Sequence, residues 1–276
     1  MESLSGWFER LLFGLPPEGS TLNRVNQTVL HKPKPVILTL IGSGGKSSLL
    51  WLLARCLGRP PRKTLLAPAA KLLHAMKNGP LFDHYCGGTA APLGGVSLME
   101  GRNTQGGKLE SLPPEDLALM AGGYDLVLFE GDGSKTLPLK GWADHEPVIP
   151  PCTGSTLGVL PLWPAGKRVD ETLIHRLPLF SALTKAAPGE ILNLDHLAAL
   201  ISGLGPSGEV LAGKSLFTAA RGRKILFLNQ IETSAALAQA QDLAGLLPAQ
   251  FRSGLSAIIA GSVRQNRLQE LYPGAS

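Results

Sequence analysis

The chain reads as an α/β protein with a mostly parallel sheet and helices on both faces. Three observations predict this. Short apolar, β-branched runs alternate along the chain with helix-period patterns. The first such run, Val36–Ile41, stops at a Gly-rich turn, and a Leu-rich helical run opens at Lys46-Ser47-Ser48. A later run, Asp125–Glu130, is strongly apolar and delivers a carboxylate at its end.

In chain order, Leu4, Trp7, Phe8, Leu11, Leu12 and Leu15 recur at helical spacing, ended by Pro16-Pro17. They predict a short amphipathic helix that packs on the main domain or on a second subunit. Its polar face offers only Glu9 and Arg10, too little basic charge for a membrane-surface helix. Residues 16–35 read as a linker, so 1–35 is set apart from an α/β domain over 36–276. Strand Val36–Ile41 is followed by helix Ser47–Leu57, stopped by Gly58 and the prolines beyond it. Thr64–Ala67 reads as a strand, Ala69–Met76 as a helix, Gly94–Met99 as an edge strand and Pro114–Met120 as a helix. Asp125–Glu130, Thr156–Leu162, Lys224–Leu228 and Ala257–Ala260 read as buried strands, with helix Thr233–Leu247 between the last two.

The turn Gly42-Ser43-Gly44-Gly45-Lys46-Ser47-Ser48 has the spacing of a phosphate-binding loop. Glycines let successive N–H groups face one anion, and the following helix adds the positive end of its dipole. Lys46 would reach the outer phosphates and Ser47 would ligate Mg²⁺. In the longer register of this motif the first glycine position holds Leu40, so the shorter Gly-x-x-Gly-Lys-Ser form applies; such loops resemble those of Mur-type ligases. With this motif, the predicted fold is P-loop NTPase-like.

Glu130 and Asp132 alternate at the end of an apolar strand and are candidates to hold Mg²⁺ or orient a nucleophile, with Asp132 as the metal ligand beside Ser47. In an extended chain they would point to opposite faces, and the intervening glycines leave open which one meets the loop. A plain Asx turn at Asp132 is the alternative. Beyond it, Ser134, Lys135, Lys140, His145 and Glu146 lie in a polar, proline-bound loop. They read as contacts to a second small-molecule substrate or a partner, or as hydrogen-bonded loop residues. Asn229-Gln230-Ile231-Glu232 ends a late strand where GTPases carry Asn-Lys-x-Asp, making Asn229 and Glu232 candidate base-side residues. Gln replaces the usual Lys and Glu the usual Asp, so the nucleotide is ATP or GTP.

Composition excludes several classes. A chain of 276 residues, 44% hydrophobic and 17% charged, builds a sizeable core, while Gly 33 and Pro 22 imply many loops. The net charge of +5 is scattered rather than gathered into a stripe with interleaved aromatics, which argues against nucleic acid. Three unpaired-looking cysteines, Cys56, Cys86 and Cys152, fit a reducing compartment, and His84-Tyr85-Cys86 alone is no zinc site. No apolar run reaches membrane-spanning length and no signal segment is evident, so the expected location is cytoplasmic.

The blocks Ile41–Ser48, Glu130–Lys140, His145–Pro150 and Leu228–Glu232 together resemble the YqeC-type family of selenium-dependent hydroxylase accessory proteins, also called selenium cofactor biosynthesis proteins. The combination Asp-Gly-Ser-Lys with His-Glu-Pro-Val-Ile-Pro is its most specific part. The resemblance implies a P-loop protein acting in maturation of selenium-dependent molybdenum hydroxylases, with such a hydroxylase as client. The family's Thr-rich block after the second strand is replaced by Ala67-Pro68-Ala69-Ala70-Lys71-Leu72, which puts hydrolysis in doubt. The expected function is therefore binding of ATP or GTP with Mg²⁺ in hydroxylase maturation, with Lys46, Glu130 and Asp132 as the catalytic candidates. A Mur-like ligase or small-molecule kinase, and a non-hydrolysing scaffold, are the alternatives.

Overall fold

The computed structural model describes residues 2–14, 34–68, 83–86, 93–99 and 114–274. The chain opens with β1 (Glu2–Ser3), α1 (Leu4–Phe13), β2 (Val36–Gly42) and α2 (Lys46–Leu57). It continues through β3 (Lys63–Pro68), β4 (His84–Cys86), β5 (Gly95–Met99), α3 (Pro114–Ala121) and β6 (Leu126–Glu130). Then come β7 (Leu139–Lys140), β8 (Ser155–Pro161), β9 (Ile174–His175), α4 (Leu177–Thr184) and α5 (Leu194–Ser202). It closes with β10 (Arg223–Asn229), α6 (Ser234–Leu246), α7 (Ala249–Arg252), β11 (Ala257–Ser262) and β12 (Arg267–Pro273).

Ten strands form one sheet in the order β1-β12-β11-β10-β8-β2-β6-β3-β5-β4. From β11 to β4 every neighbouring pair is parallel, and β12 alone runs against the rest, antiparallel to both β11 and β1 at one edge. The central strands are apolar on both sides, as a strand covered on both faces must be. In β2, Leu38 and Leu40 point toward α1 and α2, while Ile37 and Ile41 point to the opposite layer. In β10, Ile225 and Phe227 divide from Leu226 and Leu228 in the same way.

This topology positions the site. The connection leaving β2 crosses to β3 past β6, whereas the one leaving β6 crosses β2 to reach β8. The connections thus diverge at the carboxyl end of β2, the place where open α/β sheets bind ligands.

The amphipathic α1 is an integral layer. Ser3 accepts from the Gly6 N–H at its start, and Gly14 ends it in a left-handed conformation. Leu4, Trp7, Phe8 and Leu12 are buried with α2 and the sheet, Glu9 pairs with Arg62, and Arg10 pairs with Glu2. Leu15, most of the expected linker and the expected helix Ala69–Met76 lie outside the described residues.

The predicted strands appear with boundaries shifted by a residue or two. Gly94–Met99 is corrected from edge strand to an inner one, because β4 pairs on its far side. Three residues are too few to show a β-period in sequence. Strand β12 escaped because its side chains are mostly half-buried, leaving a mixed pattern in which Leu268 alone is fully buried. Among the described residues no helix is long and apolar enough to cross a membrane.

Candidate functional site

The turn between β2 and α2 is tied down from three sides. The Gly42 N–H donates to the Asp132 carboxylate at 3.0 Å, and the Ser43 N–H donates to the Val159 carbonyl at 2.9 Å. The Asn229 side-chain amide donates to the Gly44 carbonyl at 2.8 Å and accepts from the Val263 N–H at 3.2 Å. Gly45, the residue before α2, has φ +119, and a Cβ there would stand 2.3 Å from Asn229 Nδ2, so only glycine fits. Gly42 and Ser43 therefore spend their amides inside the protein. The amides of residues 44–48 find no acceptor among the described residues. That is a run of donors at a helix N-terminus, strengthened by the dipole of the twelve-residue α2. Ser48 itself is exposed beside them.

Lys46 is only 4% exposed. Its ammonium donates to the Gly42 carbonyl and lies 3.2 Å from Asp132 Oδ1 and 3.8 Å from Glu130 Oε1. Both acidic residues thus meet the turn. Strand β6 ends at Glu130, so alternation no longer separates them. Gly131 lies against the Val148 carbonyl, where a Cβ would come within 2.5 Å.

The two carboxylates differ in state. Asp132 is saturated: besides Gly42 and Lys46 it accepts from Trp142 Nε1 at 2.8 Å and Lys140 Nζ at 3.2 Å. Glu130 has the Ser47 hydroxyl beside it, yet its Oε2 is buried without a hydrogen-bond partner among the described residues. Burial pushes its carboxyl up to about 7; attraction by Lys46 opposes this and the Asp132 charge adds to it. The Ser43 hydroxyl is likewise buried and unpartnered. Orphaned buried oxygens of this kind mark a place where a partner belongs.

For Mg²⁺, the donor chemistry fits Ser47 and Glu130. Magnesium takes one or two carboxylates together with substrate phosphates and water, rather than a full protein cage. The open Glu130 oxygen suits it, whereas four protein donors already surround Asp132. Of the two carboxylates, Glu130 therefore has the acceptor capacity left for a cation, while Asp132 braces Lys46, Lys140 and the turn.

Two of the remaining expected contacts, Lys140 and Glu146, form a charged relay with Asp132 and Arg176. Lys140 is fully buried and donates to the Gly133 carbonyl and Glu146 Oε2, each at 2.7 Å. Glu146 takes both arms of Arg176 as well. Burial alone would raise Glu146, but Arg176 and Lys140 hold it at about 2. Lys140 and Glu146 are therefore engaged inside the protein, while His145 and Lys135 stand exposed and Ser134 half-buried. Lys135 and Thr136 both have positive φ, a costly turn for residues other than glycine that pushes this loop outward. Glu232 accepts from Ser262 Oγ at 2.9 Å and Arg264 Nη2 at 3.0 Å. Sequence reasoning did not find Trp142 or Arg176 as members of the relay. Nothing in their local pattern marks them, and only folding brings Arg176 onto Glu146.

The YqeC protein family matches residues 38–178, which hold the turn, both carboxylates and the whole relay from Lys46 to Arg176. A protein of Escherichia coli (strain K12), named uncharacterized protein YqeC, is 29% identical over 177 residues, covering 61% of this chain and 68% of that one. The match takes in more than half of the sequence and the centre of the sheet, and the chain belongs to the YqeC family.

Proposed function

We propose that the chain binds a nucleoside triphosphate with Mg²⁺ at the carboxyl end of β2, and uses it in the maturation of a selenium-dependent molybdenum hydroxylase. The observation that carries the binding reading is the run of free amides at residues 44–48 facing the same turn as Lys46 and the unpartnered Glu130 oxygen. Amides and ammonium suit a polyphosphate; Ser47 and Glu130 suit the cation that accompanies it. Bound Mg²⁺ would offset charge on the outer phosphates. Lys46 would turn from the Gly42 carbonyl toward the γ-phosphate while Asp132 keeps its ammonium oriented. What the protein supplies is positioning and fixed charge.

The maturation role rests on family membership and on the Asp132-to-Pro150 blocks that resemble the accessory proteins. Exposed Lys135 and His145, with half-buried Ser134, are the surface such a client, or a second substrate, would meet. A non-hydrolysing variant of this function is favoured by Ala69 and Ala70, which remove the hydroxyls expected near a γ-phosphate. Phosphate release measured with ATP and GTP separates the two: turnover supports a working NTPase, tight binding without turnover a scaffold.

The binding reading is tested by calorimetric titration with ATP and GTP, with and without Mg²⁺. Lys46→Ala is expected to weaken triphosphate binding at least about tenfold, or about 1.4 kcal/mol. Equal affinity of wild type and variant would remove the site. Loss of hydroxylase activity in cells lacking the protein, restored by wild type but not by Lys46→Ala, is the expected outcome for the maturation role.

A further inference from the structure

A cleft of about 670 Å³ opens from the Gly-rich turn along the carboxyl ends of β8, β10 and β11. It starts at Gly45 and Ser48, where the free amides lie, and ends at Glu232 and Arg264. One wall is Trp163, which is 49% exposed although most large apolar residues among those described are covered. It lies two residues past Pro161, whose ring packs so tightly on Gly44 that a Cβ there would come within 2.2 Å. The turn that carries the indole therefore leaves β8 right beside the Gly-rich turn.

We propose that this cleft holds the base of the nucleotide, stacked on Trp163, with the Glu232 carboxylate receiving the paired N–H donors of guanine. The proposal rests on the triphosphate reading above and extends it to the base. Aromatic faces bind bases through stacking, whichever base is present. Discrimination must then come from a polar group, and the cleft narrows the choice. Asn229 is only 2% exposed and its amide already bridges the Gly44 carbonyl and the Val263 N–H, so it holds the two loops together. Glu232 keeps acceptor capacity: a carboxylate has about four acceptor positions, of which Ser262 and Arg264 fill one on each oxygen. Those two donors also fix its orientation. A fixed carboxylate is acceptor-only, so it matches the adjacent N1–H and N2–H₂ of guanine. Adenine places a lone pair at N1 and no amine at C2, and so meets it with an acceptor.

The test titrates GTP, ATP and inorganic tripolyphosphate, each with Mg²⁺, into wild type, Trp163→Ala, Trp163→Phe, Glu232→Gln and Lys46→Ala. Wild type is expected to bind GTP tighter than ATP or tripolyphosphate. Trp163→Ala should weaken GTP about tenfold and leave tripolyphosphate unchanged, while Trp163→Phe restores most of the loss. Glu232→Gln should bring GTP down to the affinity of ATP. Trp163 is half exposed, and an unchanged melting curve for Trp163→Ala would show that the fold is intact. Unchanged GTP affinity in Trp163→Ala, or ATP binding tighter than GTP in wild type, overturns this inference alone, provided Lys46→Ala still weakens all three ligands. If wild type binds none of the three, the triphosphate reading falls and takes the base site with it.

Discussion

Glu130 shows how one residue's environment sets a measurable property. Its carboxyl is raised from 4.5 to about 7 by burial, so the folded chain holds this proton more tightly than the unfolded one. The stability that follows is complete below 4.5 and is lost as pH rises through about 7. In chelator, between about pH 5 and about pH 8, wild type should lose about 2 kcal/mol relative to Glu130→Gln, read by urea unfolding at each pH. Parallel profiles for the two proteins would contradict the assignment. Glu146 moves oppositely: held at about 2, it contributes above 4.5 and its contribution fades as pH falls through about 2. Burial raises both acids, and their partners pull them apart. Glu146 has two cations in direct contact, whereas Glu130 has Lys46 at 3.8 Å and one oxygen with no hydrogen-bond partner among the described residues.

Among the elements, the β2–α2 turn depends on its neighbours more than on its own sequence. Asn229 at the end of β10 binds Gly44 on one side and Val263 on the other, joining three loops at the carboxyl edge of the sheet. Asn229→Ala removes both bonds and leaves a carbonyl and an N–H without partners, one of the costlier changes for a residue only 2% exposed. We expect a loss of about 2 kcal/mol in urea unfolding, with weaker triphosphate binding because the turn is freed. Unchanged stability would show that the turn is held by its glycines alone. The expected GTPase-like Asn-x-x-acid block thus has a structural first member, and its acid is the residue left to face the cleft.

For the whole molecule, the question is whether α1 is an appendage or part of the core. Leu4, Trp7, Phe8 and Leu12 share one buried cluster with α2 and with strands β2, β8 and β10, and β1 extends the sheet beyond β12. Phe8 is fully buried. Phe8→Ala should therefore lower global stability by about 3–5 kcal/mol in a single cooperative transition. An early transition that leaves the main midpoint in place would show a separate N-terminal unit, as the division at residue 35 expects. On this packing, the amphipathic face needs no second subunit to cover it.

The sequence by itself determined the alternation of strands and helices, the position of the Gly-rich turn and the two acids at the end of the apolar run Asp125–Glu130. These are local signals: a period of two, a period of 3.6, and glycine where a side chain cannot fit. Tertiary structure alone decided that Gly42 and Ser43 aim their amides inward and residues 44–48 do not. It also decided that Asp132 is saturated while Glu130 stays open, and that Arg176 closes the relay through Glu146. The reason is that hydrogen-bond partners far apart in sequence meet only when the sheet sets its strand order. Lys140 reaches Asp132 from β7 and Trp142 from just beyond it, and Asn229 reaches the turn across 185 residues, at distances no periodicity encodes.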